Sequence, residues 1–239
     1  MAQNLNSNTK KALDTCIENN DLNSLIKLIE SKNVRTCGNY ALKKSLEGQN
    51  LEIAMALVMK GVDINTQTSN GFTTLMLASC MGNAHSVTQL ITDRRINLNA
   101  RRRDGATALM ICIQNGHIEI AQQLLQTDLD LDINCADDKG MTALMMAANG
   151  RHLEIVQLLL GKGVDTFASR YRDGANALAI AMKAMPEGNG KESRDRQQEI
   201  MRLIQEAQRR QASAGGGSQG PKRKTRRYKK TRRSKTKSS

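Results

Sequence analysis

The sequence predicts an all-α solenoid of about six helix-turn-helix units with protruding loops, followed by a basic C-terminal tail. Three observations lead to this fold class: an internal repeat, helical spacing of apolar residues within each repeat, and a core composition without large side chains. Hydrophobic residues make up 39% of the chain and aromatic residues only 2%, with no Trp. Such an aliphatic core favours small packed helices over a β-sandwich.

The internal repeat organises the middle of the chain. Three stretches, GFTTLMLASCMGNAHSVTQLI, GATALMICIQNGHIEIAQQLL and GMTALMMAANGRHLEIVQLLL, open with Gly and reach Leu four residues later. The same Leu recurs on both sides of these stretches, and its six positions are Leu13, Leu42, Leu75, Leu109, Leu144 and Leu178. From Leu75 onwards the period is 34 or 35 residues, which is typical of a solenoid whose repeats pack on their neighbours.

Each repeat is predicted to hold two short antiparallel helices. In the stretch that begins at Gly140, apolar residues recur at intervals of three and four on both sides of a polar break, AsnGlyArgHis. Thr73, Thr107 and Thr142 stand where a hydroxyl group would cap the first helix of the unit. The segments between units, such as NARRRDG and CADDKG, are polar and end in Gly, which indicates a turn with positive φ.

The repeat also predicts how the chain is divided. We expect residues 1–9 to be disordered and residues 10–210 to form the repeat domain. Within that domain the predicted units are a capping unit at 10–36, repeats at 37–70, 71–104, 105–139 and 140–173, and a C-terminal capping unit at 174–210. Residues 211–239 contain no Val, Ile, Leu, Met, Phe or Trp, which predicts a disordered Gly/Ser linker and basic tail.

The chain resembles the ankyrin repeat family over roughly residues 10–210. The resemblance is carried by TTLMLA, TALMIC and TALMMA, against the family's T-P-L-H-x-A, and by HIEIAQQLL and HLEIVQLLL, which are similar to its second helix. Thr or Ala replaces the family's Pro, and Met replaces its His. The usual loop Asp is kept at Asp137 but is replaced by Thr68 and Arg102, so we expect the loops to be joined less tightly.

The resemblance implies a protein partner on the concave surface, bound by the loop tips and the ends of the first helices. Transferred unit by unit, the partner-binding positions are Phe72, Met81, Arg102, Arg103, Gln114, Asn115, Asp138, Lys139, Met141, Tyr171 and Arg172. The RRRDG and RYRDG tips place basic residues on either side of the acidic CADDKG tip, and Phe72 and Met81 would form an apolar spot beside them. The alternative is that the loop charges are solvated and Phe72 packs on its neighbour. We expect a monomer.

Motifs for catalysis and metal binding are absent from the sequence, which contains no GxSxG, HExxH or GxxxxGK[ST]. His117 and His152 open the second helix of successive units, where a structural role is expected, and His85 has no ligand partner at a suitable spacing. Five widely spaced cysteines without a CxxC favour reduced thiols. We therefore predict a protein that is not an enzyme and that has no cofactor, metal or catalytic site.

The predicted location is intracellular, in the cytoplasm, the nucleus or both. The first residues, MAQNLNSNTKK, are polar and lack the apolar segment of a secretory signal. No stretch approaches the roughly 18 apolar residues of a membrane span, so we expect no membrane association.

The tail carries most of the chain's net charge of +13. Eleven of the 36 Lys and Arg residues lie in 221–239, which leaves 25 against 23 Asp and Glu elsewhere. The residues predicted to act as a nuclear signal or nucleic-acid site are Lys222, Arg223, Lys224, Arg226, Arg227, Lys229, Lys230, Arg232 and Arg233. Three uses are open: an import signal read by an import receptor, RNA or DNA phosphate binding, and a solubilising or phosphorylated end. The composition resembles the Lys/Arg/Thr/Ser endings of many giant DNA virus proteins.

The predicted function is that of a non-catalytic adaptor that binds a protein partner on the concave surface of its repeats. The tail would serve nuclear targeting or nucleic-acid tethering. The alternative is a nucleic-acid-binding protein in which the tail is the main functional element. An adaptor for ligase substrates is a further alternative, but it needs a C-terminal helical module that the residues after 213 could not form.

Overall fold

The computed structural model describes residues 5–184 and 191–214, and these residues form twelve α-helices. In chain order the helices are α1 (Ser7–Glu18), α2 (Leu22–Lys32), α3 (Val34–Glu47), α4 (Leu51–Met59), α5 (Thr74–Cys80), α6 (Ala84–Ile91), α7 (Ala108–Gln114), α8 (Ile118–Gln126), α9 (Ala143–Gly150), α10 (Leu153–Gly161), α11 (Ala177–Lys183) and α12 (Lys191–Ala214). The predicted all-α solenoid is confirmed. No strand is present in the described ranges, where the only extended pairing consists of isolated bridges.

The helices form six pairs, and each pair packs on the next. The first helices α5, α7, α9 and α11 stack on one another, and so do the second helices α6, α8, α10 and α12. Their shared core is aliphatic, and the anchors Leu42, Leu109 and Leu144 are at most 2% exposed. Small side chains such as Ala147 and Ala148 on α9 let the first helices approach closely.

The first helices begin where the sequence predicts. The hydroxyl groups of Thr73, Thr107 and Thr142 accept hydrogen bonds from the third backbone N–H of α5, α7 and α9. Asn176 does the same for α11. The predicted N-caps are therefore confirmed, and each satisfies a donor that the helix itself leaves free.

The loops between units turn back on themselves at a glycine. Gly71, Gly105, Gly140 and Gly174 have φ between +67° and +83°, as the sequence predicts. At Gly140 the neighbouring loop also comes close, since a Cβ there would lie 2.8 Å from the backbone nitrogen of Tyr171. Only glycine fits a position with both properties.

Two helices at the N-terminal end begin before the predicted unit boundaries. Helix α1 begins at Ser7, inside the segment 1–9, because the side chain of Asn6 accepts a hydrogen bond from the third helical residue at 2.7 Å. Helix α3 begins at Val34 rather than after residue 36, because Asn33 caps it in the same way at 2.9 Å. The first unit is therefore 7–33.

The last helix closes the stack and also extends beyond its predicted end. Helix α12 packs on α10 and α11 through Ile200 and Ile204, which are fully buried. The Gln197 amide, also buried, donates to the carbonyl oxygens of Ala148 and Ala181, which lie on the two preceding first helices. The helix continues to Ala214, beyond residue 210 where the predicted capping unit ends, and its last turns contact the loop after α10.

The junction between the second and third units is less closely packed than the others. Helix α4 packs against α5, but α3 does not pack closely on α5, nor α4 on α6. Two clefts of about 640 and 440 Å³ lie there, and Met55 and Gln89 line both. Their other lining residues are mainly apolar or neutral, so the junction is a gap in packing rather than a charged site.

Candidate protein-binding surface

The loop tips of four successive units form one continuous edge, which we call the tip edge and define as residues 69–70, 103–104, 138–139 and 171–172. Each tip after the first donates one backbone N–H to a carbonyl oxygen of the preceding tip. The bonds are Arg103 to Asn70 at 2.8 Å, Asp138 to Asp104 at 2.9 Å and Tyr171 to Lys139 at 3.1 Å. The expectation of loosely joined loops is wrong at these junctions, because the bonds use backbone atoms and do not need the usual Asp.

A second set of bonds, not predicted from the sequence, joins the loops on the side of the second helices. The side chain of Asn65 accepts from the backbone of Asn97 at 2.7 Å, and Asn99 accepts from Asp132 at 2.8 Å. Asn134 accepts from the backbone of Asp165 at 2.8 Å. The sequence does contain a signal for these bonds, because the three Asn residues are spaced 34 and 35 residues apart, as the repeats are. These bonds join the segments that follow the second helices of neighbouring units.

Most of the carboxylates near the tip edge are paired with an Arg of the same or the adjacent loop. Arg102 forms an ion pair with Asp104, and its Nε lies 2.9 Å from a carboxylate oxygen. Hydrogen bonding to this Arg lowers the pKa of Asp104 to about 2. Arg101 lies 3.9 Å from Asp138 and also donates to the carbonyl oxygen of Ala136 at 2.7 Å.

The last tip repeats this arrangement. Arg170 forms an ion pair with Asp173, with its Nε 3.1 Å from a carboxylate oxygen, and this hydrogen bond lowers the pKa of Asp173. Its neighbours Tyr171 and Arg172 are exposed, and Tyr171 has 74% of its surface accessible. The prediction of basic tips must therefore be corrected in one respect, because most of the Arg residues in the two basic tips are neutralised locally.

Phe72 and Met81 differ in their surroundings. Phe72 is half-buried against the core, and the Arg102 guanidinium lies 6.0 Å from the centre of its ring. Met81, at the end of α5, is 54% exposed. Met141 is also half-buried against the core. Among these three predicted contacts, Met81 presents the accessible apolar surface, while Phe72 and Met141 support their loops.

Two residues at the end of α7 were predicted as partner contacts, and they differ as well. The Asn115 amide donates to the carbonyl oxygen of Cys80 at 3.3 Å, and a ring nitrogen of His117 lies 3.1 Å from the same oxygen. Asn115 and His117 therefore connect two units. Gln114 is exposed, as are Asn149 and Lys183 at the corresponding position of the next two units.

Comparison with known proteins agrees with this architecture. A family model described as ankyrin repeats (3 copies) matches residues 13–102, 39–135, 83–170 and 109–204. The chain belongs to the ankyrin repeat family. The crystal structure of the ankyrin repeat protein EF0377 is also similar, with 25% sequence identity and a TM-score of 0.63. That match covers 81% of this chain and 96% of EF0377.

Membership of the ankyrin repeat family has a direct functional consequence. Ankyrin repeats generally mediate protein–protein interactions and are generally not catalytic. The Met residues in place of the family's His, at Met76, Met110 and Met145, are at most 1% exposed. They add apolar volume to the core rather than reactive groups to the surface.

The described residues contain few features that suggest chemistry. Within residues 5–184 and 191–214, no group of three or more His, Cys, Asp or Glu side chains could hold a metal ion, and no helix could span a membrane. All five cysteines lie in these ranges and are free. Burial raises the pKa of the Cys112 thiol to about 12, which makes it unreactive at neutral pH.

Several exposed apolar side chains in this ankyrin repeat protein, among them Phe167 and Met182, were not predicted from the sequence. Met182, on α11, is 58% exposed, and Phe167, in the loop after α10, is 52% exposed. Phe167 stands where Asn65, Asn99 and Asn134 stand in earlier units, so the break in that series was a signal for it. The predicted tail sites, from Lys222 to Arg233, lie outside the described residues.

Proposed function

We propose that this ankyrin repeat protein is a non-catalytic adaptor that binds a protein partner along the tip edge and the adjoining ends of the first helices, on the concave side of the solenoid. The observation that carries this proposal is the continuity of the tip edge. Backbone hydrogen bonds join four successive tips, and the joined tips present an exposed aromatic side chain and exposed cations. Rigid, joined loops lose little conformational entropy when a partner binds.

The predicted contact residues take two roles in this proposal. The residues with accessible side chains, Met81, Arg103, Gln114, Lys139, Tyr171 and Arg172, would touch the partner. The residues engaged within the protein, Phe72, Arg102, Asn115, Asp138 and Met141, would hold the tips and helix ends in position. Tyr and Arg are the residue types that most often dominate the binding energy of an interface.

The tail has a separate role in the proposal. Eleven Lys and Arg among residues 221–239, without Asp or Glu, support nuclear targeting through an import receptor or tethering to nucleic acid. The protein would then act as a monomer in the cytoplasm, the nucleus or both. The second candidate function is nucleic-acid binding with the tail as the main element, and the same charge density favours it.

Affinity capture from cell extract, with and without nuclease treatment, tests the proposal. The baits are the full chain, a chain ending at Ala214, and the full chain with Met81→Ala and Tyr171→Ala. A matched control carries Met59→Ala and Phe167→Ala, which remove a similarly exposed Met and aromatic residue outside both the tip edge and the ends of the first helices. We expect a partner that the full chain, the shortened chain and the control retain, and that the tip variant loses.

Two outcomes contradict the proposal. If only the full chain retains partners and nuclease treatment releases them, the tail is the working part and the second candidate function is correct. If the tip variant retains every partner that the control retains, the tip edge is not the binding surface.

A further inference from the structure

The charges on the tip edge are arranged in a way that the sequence of the loops does not reveal. Three Arg residues are occupied by ion pairs with Asp138, Asp104 and Asp173. Three other cations, Arg103, Lys139 and Arg172, are exposed, and no carboxylate in the described part of the chain lies within 4.0 Å of them. One unpaired cation therefore remains on each of three successive tips.

The remaining carboxylate of these loops, Asp137, does not neutralise these three cations. It accepts hydrogen bonds from the backbone N–H groups of Lys139 at 2.9 Å and Met141 at 2.8 Å. Its negative charge is therefore stabilised by backbone N–H groups of its own loop, as in other turns in which an Asp side chain bonds to the backbone. The tip edge thus presents three cations without a carboxylate partner among residues 5–184 and 191–214, beside the exposed ring of Tyr171.

We infer that the partner contributes an extended acidic segment, in which carboxylates about three residues apart bind Arg103, Lys139 and Arg172 in turn. The inference rests on the proposed function and specifies the chemistry of the partner. Neighbouring helices pack about 8–10 Å apart, and an extended chain advances roughly 3.3 Å per residue. One unit of the solenoid therefore matches about three residues of an extended peptide.

The alternation of charge along the edge favours a peptide over a nucleic acid. Asp104, Asp138 and Asp173 lie on the same loops as the unpaired cations, with 53%, 66% and 43% of their side chains exposed. A phosphate backbone carries a charge at every nucleotide, whereas the edge offers one unpaired cation per unit, and the carboxylates between these cations are already paired with Arg. A peptide can place its acidic residues opposite the cations and neutral residues elsewhere. The protein's own basic tail has the wrong charge for this edge.

Two synthetic peptides of equal composition test the inference with the full-length protein. Both have nine residues, of which three are Glu and six are Gly or Ser. The spaced peptide has Glu at positions 2, 5 and 8, and the blocked peptide has Glu at positions 4, 5 and 6. The basic tail cannot distinguish them by net charge, so the ratio of their dissociation constants reports the tip edge. Fluorescence anisotropy with labelled peptides measures both constants.

We expect the spaced peptide to bind roughly tenfold more tightly, as three added surface ion pairs allow. Charge reversal by Arg103→Glu, Lys139→Glu and Arg172→Glu should reduce the ratio to about one. The loops are joined through backbone atoms, so this variant keeps the bonds between the tips. A control with Lys11→Glu, Lys27→Glu and Lys162→Glu changes the net charge equally at exposed sites outside the tip edge and should keep the ratio.

Three results would overturn the inference. The first is equal affinity of the unchanged protein for both peptides, and the second is an equal loss of preference in the two triple variants. The third is that the tip reversal weakens binding of oligouridylate RNA tenfold while the control does not, since the occupant would then be RNA. The capture experiment with Met81 and Tyr171 does not depend on these charges, so the proposed function can stand if the acidic segment is wrong.

Discussion

At the scale of single residues, the tip of each loop depends on a glycine with positive φ. Two glycines with similar φ allow the contribution of the loop contact to be separated from that of the backbone conformation. Gly140 has φ +81° and lies against the next tip, whereas Gly116 has φ +77° and nothing within 4 Å of the point where a Cβ would lie. The pair is therefore a matched comparison.

We expect Gly140→Ala to destabilise the protein more than Gly116→Ala. Both changes place a side chain at positive φ, which costs about 1–2 kcal/mol. Only the change at Gly140 also pushes a methyl group against the backbone of Tyr171 and stretches the bond from Tyr171 to Lys139. Urea unfolding measures both free energies. Equal losses would show that the tip contact at Gly140 contributes nothing to stability.

A second prediction at this scale concerns His152. Burial lowers the pKa of its imidazole in the folded protein, while a smaller effect from a hydrogen bond with the backbone of Ile113 acts in the opposite direction. A His with a lowered pKa stabilises the folded state above its unfolded pKa of about 6.5 and loses that contribution as the pH falls. The free energy of unfolding should therefore decrease from pH 7.5 to pH 5.5.

Replacement of His152 by Gln should make this decrease smaller, because Gln carries no charge in either state. Gln114→Asn is the control, since Gln114 is exposed on α7 and carries no titratable group, so this change should leave the pH dependence unchanged. Urea unfolding at several pH values gives the slope. The prediction fails if His152→Gln has the slope of the unchanged protein.

At the scale of elements, the end of α12 is held by polar rather than apolar contacts. The Gln211 amide oxygen accepts from the hydroxyl of Thr166 at 2.6 Å and from its backbone N–H at 3.3 Å. The Gln211 nitrogen donates to the carbonyl oxygen of Val164 at 2.7 Å, and Gln208 donates to Thr166 at 3.0 Å. These bonds give hydrogen-bond partners to polar groups of the loop after α10, which is the last loop between units and has no further unit to contact.

Gln211→Ala should therefore lower the free energy of unfolding by about 1–3 kcal/mol, because it leaves partly buried groups without partners. Gln205→Ala on the same helix is the control, because Gln205 is exposed. Hydrogen exchange of the last two turns of α12 should also become faster in the first variant. A loss of less than about 0.5 kcal/mol would assign the end of the helix to packing alone.

The elements themselves could largely be predicted from the sequence, because a period of 34 or 35 residues and the Thr caps are local signals. The ion pairs within the tips could not be predicted from the sequence. In RRRDG three Arg residues lie beside one Asp, and Arg102 forms the ion pair with it. Arg103 has no carboxylate partner among residues 5–184 and 191–214. The half-burial of Phe72 and the extension of α12 to Ala214 also depend on residues distant in sequence.

At the scale of the whole molecule, the stability of a solenoid is approximately a sum over units and the interfaces between neighbours. The interface between the second and third units is the weak one, because α4 and α6 leave two clefts between them. The aligned repeats do not reveal this difference, since both units keep their anchor Leu. We therefore expect the first four helices to open separately from the rest.

Native-state hydrogen exchange should find a lower opening free energy for amides of α1–α4 than for those of α7–α10. The weak interface is the reason, because opening α1–α4 exposes less apolar surface at the junction than opening elsewhere. Leu42→Ala gives a sharper test. Leu42 is fully buried in α3, and its replacement should cost about 2–5 kcal/mol.

In the Leu42→Ala variant this cost should appear in the opening of α1–α4 and leave the opening of α7–α10 nearly unchanged. Leu109→Ala on α7, equally deep in the core, is the control and should lower protection in α7–α10. If Leu42→Ala lowers protection equally in both regions, the solenoid unfolds as one cooperative unit despite the clefts. Separate responses would mean that the tip edge, which begins in the third unit, stays ordered while the first two units open.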